Sequence, residues 1–154
     1  KDNELPISVE IDSDPQDIDA VGSWRRITYK YADGTMIVLD GENKDKSAAF
    51  IEGPEGKIFK GFKSDVKGFA EKVKALPEPA PQVTDFHQAI REKKKFALNE
   101  QNGFNSCTLI NLGKIAHRLN TNLKFDPKKM QFIDNALANS LIDQPCRDKW
   151  KLPV

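Results

Sequence analysis

Residues 109–125, LINLGKIAHRLNTNLKF, combine a helical pattern with the strand pattern that follows it. The apolar residues of the first part recur at the spacing of one helical face: Leu109, Leu112, Ile115, Ala116 and Leu119. We therefore predict a long helix that begins near Asn105 and Ser106 and packs this stripe on a sheet. Gly113, which has no side chain, would allow the helix to approach the sheet closely. Residues 122–125 are typical of a short strand.

Strands are predicted on the N-terminal side of this helix. Residues 5–11 alternate apolar and polar side chains, residues 12–22 are an acidic loop, and residues 24–31 alternate again. Asp33 and Gly34 then predict a tight turn into a return strand over residues 35–39, because both residue types tolerate a positive φ.

A second hairpin is predicted around the turn Gly53-Pro54-Glu55-Gly56, with strands over residues 48–52 and 57–59. We interpret the two hairpins as parts of one antiparallel sheet. A helix follows from Ser64 to Val73, and the proline-rich residues 77–81 form a stiff connector.

Helices dominate the second half of the chain. Asp85 is a candidate cap for a short helix, with Gln88 three residues later and Phe86, Ala89 and Ile90 on its apolar side. A last helix is expected over residues 135–142, ending before Pro145. Strands first and helices later predict an α+β fold, in which helices pack on one face of a mostly antiparallel, open sheet.

Length, charge and hydropathy restrict the class of protein. The 154 residues are interpreted as one domain spanning residues 1–154, and the net charge of +1 provides no global field for nucleic acid or an anionic membrane. No apolar run approaches the ~20 residues that span a bilayer. The first residue is Lys1, so we expect the sequence to begin inside a longer or processed protein, either cytoplasmic or exported.

Candidate chemical groups are few. No glycine-rich nucleotide motif occurs, and neither His87 nor His117 has a second ligand at metal spacing, so this chain is expected to bind no cofactor and no metal. Cys107 could be a nucleophile near a helix start, or a thiol that packs inward. Cys146 is interpreted as a loop thiol.

Three residues are candidates for the substrate side. Trp24 could stack on a sugar ring beside the guanidinium of Arg25, or it could simply cover the end of a sheet. Asn105 lies in the loop expected before the long helix, where it could face the substrate or cap the helix.

The second half of the chain resembles the C-terminal part of bacterial Gfo/Idh/MocA-type oxidoreductases, from about Val83 to Leu152. Five segments support this resemblance in the expected order: DFHQAIR at residues 85–91, LGKIAHRL at 112–119, LKFDP at 123–127, ALAN at 136–139 and QPCRDKW at 144–150. The hairpin around Asp33-Gly34 and residues 50–57 are similar to the family's sheet strands. Many relatives have a histidine where this chain has Phe104.

The resemblance implies a role within a larger enzyme. The complete protein would carry an N-terminal Rossmann domain for NAD or NADP, a catalytic lysine and histidine motif, and a sugar or polyol substrate. Because those motifs are absent, residues 1–154 are expected to be the substrate-side and oligomerisation domain, without activity alone. The alternative is a noncatalytic binding or assembly module that kept the fold without the chemistry.

The resemblance also implies that subunits pair through the sheet. A sheet with helices on one side leaves its other face to water or to a second subunit. We expect Thr28, Lys30, Thr35 and Ile37 to contribute to this open face.

Overall fold

The structure is a computed structural model that describes residues 4–17, 22–42, 47–78 and 82–143. Several expectations fall outside these ranges. They concern residues 18–21 of the acidic loop, residues 79–81 of the proline connector, Pro145, the loop thiol of Cys146 and the closing motif at residues 144–150.

The described residues divide into two compact units. The first takes in those up to Glu42 and from Ala97 onward, and the second those from Ser47 to Phe96. In chain order the elements are β1 (Ser8–Ser13), β2 (Trp24–Lys30), β3 (Met36–Asp40), β4 (Ile51–Gly53), β5 (Gly56–Phe59), β6 (Lys63–Ser64), α1 (Phe69–Lys74), α2 (Phe86–Glu92), α3 (Glu100–Leu119), β7 (Leu123–Asp126), β8 (Gln131–Phe132) and α4 (Ala136–Ser140).

A five-stranded antiparallel sheet in the order β3-β2-β1-β7-β8 forms the first unit together with α3 and α4. The predicted hairpin between β2 and β3 is confirmed. Gly34 has a φ of 85°, and its N–H donates to the carbonyl of Tyr31 at 3.0 Å. A positive φ at this position explains why the turn carries a glycine.

Helix α3 is longer than the sequence predicted, because it begins at Glu100. Asn99 caps it, and its Oδ1 accepts the N–H groups of Gln101 at 3.1 Å and Asn102 at 3.2 Å. The prediction of a start near Asn105 was wrong, because the first turn of α3 contains Gly103, a residue of low helix propensity. A glycine inside a helix costs only about 1 kcal/mol, which a good cap and a long packed helix offset.

The predicted apolar stripe of α3 packs on the sheet. Leu112, Ile115 and Ala116 are buried, and Leu109 and Leu119 are partly buried. The sheet contributes buried side chains from four strands to the same core, namely Val9, Ile27, Tyr29, Leu123, Phe125 and Phe132. The helix-on-sheet arrangement of the α+β prediction is thus confirmed.

The second unit contains a separate three-stranded antiparallel sheet, in the order β4-β5-β6. The prediction that both hairpins belong to one sheet was therefore wrong; alternating patterns identify strands but not which strands pair. Asp85 caps α2 as predicted, with its Oδ1 accepting the N–H of Gln88 at 2.9 Å. Among the described residues of this unit only Ala89 is buried, while Phe86 and Ile90 are exposed.

Candidate functional site

In the described part of the first unit, no helix covers the face of the five-stranded sheet opposite α3. Directly opposed residues of an antiparallel pair lie on the same face, and the register places Thr28 opposite Val38 and Lys30 opposite Met36. Met36 is 57% exposed and Val38 is 49% exposed. Lys30 Nζ forms an ion pair with Glu10 Oε1 at 2.6 Å. We call this surface, made by Glu10, Thr28, Lys30, Met36 and Val38, the open face.

Two of the four residues expected on the open face are elsewhere. Ile37 lies opposite Tyr29 and packs against the core, so it belongs to the covered face. Thr35 precedes β3, and its Oγ1 donates to Asp33 Oδ2 at 3.0 Å in the turn. The predicted strand began one residue too early, at Thr35 instead of Met36. Ile37 was also assigned to the wrong face: successive residues of a strand point to opposite faces, and Met36 and Val38 lie on the open face.

Trp24 and Arg25 lie at the beginning of β2, beside an irregular pairing with β1. Asp12 lies opposite Arg26 and Ser13 opposite Trp24, so the register skips Arg25. Such a bulge redirects the extra side chain. Trp24 is partly buried against the core, and a Cβ added to Gly41 would lie 2.7 Å from its ring carbons. The Trp24 ring therefore rests partly on the backbone at Gly41.

The guanidinium of Arg25 is held by two carboxylates. Its Nη2 lies 2.6 Å from Asp12 Oδ1, and its Nη1 lies 2.8 Å from Asp14 Oδ1. The hydrogen bonds to Asp12 and then to Asp14 raise the pKa of the Arg25 guanidinium above its usual range. A phosphate or carboxylate ligand would therefore compete with Asp12 and Asp14 for its donors.

Asn105 is inside α3 and far from the other two candidates. Its Oδ1 accepts a hydrogen bond from Gln101 Nε2 at 3.0 Å. Ser13, which pairs with Trp24, bonds through its Oγ to Asn120 at the other end of the helix. Asn105 and Asn120 are therefore separated by about 22 Å along the axis, at ~1.5 Å of rise per residue. The structure brings Trp24 and Arg25 together but not Asn105.

Cys107 is exposed, so the prediction that it packs inward was wrong. Ile110 and Lys114 share its side of α3 and are exposed as well. The helix begins seven residues before Cys107, so the thiol lies beyond the first turn. A helix dipole affects a thiol only within that first turn.

His117 has an environment that the sequence did not reveal. It is 6% exposed, and its buried Nε2 has no hydrogen-bond partner among the residues that the structure describes. It follows Gly113 by one helical turn, on the side of α3 that approaches β2. The position of His117 next to Ala116 of the apolar stripe was the feature of the sequence that could have predicted its burial. His87, by contrast, is exposed.

Replacing His117 by leucine is expected to raise the free energy of unfolding by about 1 kcal/mol, because a buried polar atom without a partner costs about 1–3 kcal/mol. Urea denaturation of both proteins would measure the difference. His87→Leu is the matched control, and its exposed site predicts a change within about 0.5 kcal/mol. A clear loss of stability in His117→Leu would show that the imidazole makes a polar contact that stabilises the fold.

Two surface depressions differ in character. A groove of about 430 Å³ in the second unit lies between the β4–β5 hairpin and α1 and is lined mainly by apolar side chains, including Ile51, Ile58, Val66 and Phe69. It has few polar groups to orient a sugar. A smaller depression of about 210 Å³ in the first unit is polar and includes Asp126, Lys129 and Asp134. It is below the usual ligand-pocket range of about 300–1,000 Å³.

The start of the long helix α3 does not have the form of a dinucleotide site. A dinucleotide pyrophosphate needs free N–H groups where a glycine-rich turn enters a helix. At the start of α3 the N–H groups of Gln101 and Asn102 are already bonded to Asn99. Residues 4–17, 22–42, 47–78 and 82–143 also contain no group of three or more side chains able to hold a metal ion. None of their helices is long and apolar enough to cross a membrane.

Comparison with known proteins identifies the family. Residues 1–152 match the family model described as the oxidoreductase family, C-terminal alpha/beta domain, which is the Gfo/Idh/MocA type. No curated protein and no solved structure gives a significant match. The match covers both compact units, and the antiparallel sheets with their helices agree with it. The chain therefore belongs to the Gfo/Idh/MocA oxidoreductase family and represents its C-terminal alpha/beta domain.

Proposed function

We propose that residues 1–154 are the substrate-side and oligomerisation domain of an NAD(P)-dependent sugar or polyol oxidoreductase. In this proposal the nucleotide and the catalytic groups belong to the complete protein. This chain supplies a wall near the substrate and a surface for a second subunit. Family membership supports the oxidoreductase context, and the open face is the observation that carries the oligomerisation role.

The open face has the mixed character of a moderate interface. Met36 and Val38 supply exposed apolar area on the edge strand β3. The Lys30–Glu10 ion pair and Thr28 lie beside them, and this pairing leaves little net charge to repel an identical face. Interfaces that are not permanent combine apolar and polar groups in this way. We therefore propose a weak, symmetric association of two copies through this face.

Trp24 is the proposed contact on the substrate side. Its ring is only partly buried and could offer its free face to a sugar ring, as aromatic side chains do in carbohydrate sites. Arg25 would help to position Trp24 instead of binding the sugar itself, because its donors are bonded to Asp12 and Asp14.

The association is tested by Val38→Glu. Two opposed copies would bury an added carboxylate on each side, so we expect the dimer dissociation constant to rise roughly tenfold or more. Light scattering over a concentration series measures this. Ile110→Glu is the matched control, because Ile110 is also an exposed aliphatic residue, at 59%, but lies on α3. A wild-type chain that remains monomeric throughout, alone and in its complete parent, would refute the interface.

The alternative of a noncatalytic binding or assembly module makes a different prediction about the parent gene. A Rossmann sequence upstream of Lys1 would support the oxidoreductase proposal. A parent without one would favour the module, and the open face would then be its working surface.

A further inference from the structure

One turn of the second unit displays an exposed aromatic ring in an unusual backbone conformation. Phe62 closes the turn between β5 and β6, where its N–H donates to the carbonyl of Phe59 at 3.0 Å. Its φ is 57°, in the left-handed region that bulky side chains rarely adopt. Its side chain is 77% exposed, so burial of the ring does not explain the conformation.

A second ring lies at the same end of the three-stranded sheet. The N–H of Phe50, immediately before β4, donates to the carbonyl of Ile58 at 2.7 Å, and Phe50 is 72% exposed. Ile51 lies opposite Ile58, so Phe50 is next to the end of β5 from which the Phe62 turn departs. The β4–β5 turn lies at the other end of this sheet.

The segment that carries Phe62 is basic. From Gly56 to Ser64 the sequence has three lysines and no acidic residue. Lys57 pairs with Glu52 at 3.1 Å, whereas Lys60 and Lys63 are exposed and form no ion pair within the described residues. The nearby carboxylate of Asp65 accepts the backbone N–H of Lys57. We call Phe50, Lys60, Phe62 and Lys63 the basic–aromatic tip.

We propose that the basic–aromatic tip binds the surface of an anionic phospholipid membrane. Phe50 and Phe62 enter the boundary between headgroups and acyl chains, and Lys60 and Lys63 contact the lipid phosphates. Lysines beside inserted aromatic rings give the two contributions that peripheral membrane binding combines. The tip belongs to the second unit and the open face to the first, so this proposal does not depend on the proposed function.

The exposure of the rings favours a lipid surface over single-stranded nucleic acid. A ring that serves as a platform for base stacking uses one flat face, whereas a ring that enters a lipid surface uses its whole apolar area. Phe50 and Phe62 expose 72% and 77% of their surface, so both rings project from the protein. Projecting rings suit insertion into a soft phase more than stacking on a base.

Vesicle flotation with the whole chain tests the proposal. We expect binding to phosphatidylglycerol vesicles, little binding to phosphatidylcholine vesicles, and weakening as ionic strength rises. Phe62→Gly should lower the partition coefficient roughly tenfold, because the apolar area of one ring is lost. It also suits the positive φ, so folding is not put at risk. Lys60→Glu with Lys63→Glu should lower it at least about twentyfold, at about fivefold for each lysine.

Matched variants on the other unit complete the test. Leu98→Ser removes a side chain that is 81% exposed, and Lys128→Glu with Lys129→Glu makes the same charge change on exposed lysines. Both should bind vesicles as the wild type does. Equal losses in these controls, or no binding to phosphatidylglycerol, would overturn the proposal. So would binding of a labelled oligothymidylate that Phe62→Gly abolishes while vesicles are not bound.

Discussion

Replacing Leu112 by alanine is expected to lower the free energy of unfolding by roughly 2–5 kcal/mol, the usual loss for a buried leucine. Leu112 is 3% exposed and lies at the centre of the stripe by which α3 packs on the sheet. Truncation removes apolar contacts and leaves a cavity that rigid neighbours fill only partly. The midpoint of urea denaturation should therefore fall while the dependence on urea concentration stays the same.

Ile110→Ala is the matched control for Leu112→Ala. Both residues are large aliphatic side chains on α3, but Ile110 is 59% exposed. Its truncation should change stability by no more than about 0.5 kcal/mol. An unchanged midpoint for Leu112→Ala, or a larger loss for Ile110→Ala, would mean that α3 presents another side to the sheet.

The helical stripe could be predicted because burial repeats with the period of the backbone. Every residue of LINLGKIAHRL that faces the sheet is apolar, small or His117, so the orientation of α3 follows from spacing alone. The position of its first residue could not be predicted in the same way. It depends on the hydrogen bonds of Asn99 to Gln101 and Asn102, against the cost of Gly103 inside the helix.

The pairing of strands that are distant in the chain was harder to predict from the sequence. The alternation of residues 48–59 identifies a hairpin but does not determine its neighbours, and the hairpin joins β6 instead of β3. Likewise, Arg25 was expected to be available to a ligand. Asp12 and Asp14 are eleven or more positions away, and nothing in the sequence indicates that their carboxylates contact Arg25. A bulge that brings these carboxylates to Arg25 is a tertiary feature.

Replacing Gly113 by alanine is the second change with a large expected effect. A Cβ at this position would overlap the hydroxyl of Tyr29 and lie 3.4 Å from its Cζ. Tyr29 is 2% exposed, and its hydroxyl donates to the carbonyl of Leu109 at 2.8 Å. Burial raises the pKa of Tyr29 to about 12, so the hydroxyl stays protonated as a donor near neutral pH.

Gly113→Ala should lower stability by about 2 kcal/mol or more, as measured by urea denaturation. Moving the hydroxyl away breaks its hydrogen bond, and buried groups left without a partner cost about 1–3 kcal/mol. The overlap adds strain, which outweighs the gain of about 1 kcal/mol from alanine's helix propensity. Gly103→Ala on the same helix is the control. Apart from the helix's own backbone and the chain neighbours, no atom of the described residues lies within 4 Å of its added Cβ, so that variant should be up to about 1 kcal/mol more stable.

Tyr29→Phe separates the effects that involve the Tyr29 hydroxyl, both its overlap with the new Cβ and its hydrogen bond, from every other effect of Gly113→Ala. The phenylalanine lacks the oxygen that the new Cβ meets, so in this background the nearest contacts are with Cζ at 3.4 Å and Ile27 Cδ1 at 3.5 Å. Gly113→Ala should then cost less than about 1 kcal/mol, and the double-mutant cycle should give a coupling of about 1–2 kcal/mol. Equal costs in the two backgrounds would show that Gly113 is required for a reason other than room for the Tyr29 hydroxyl.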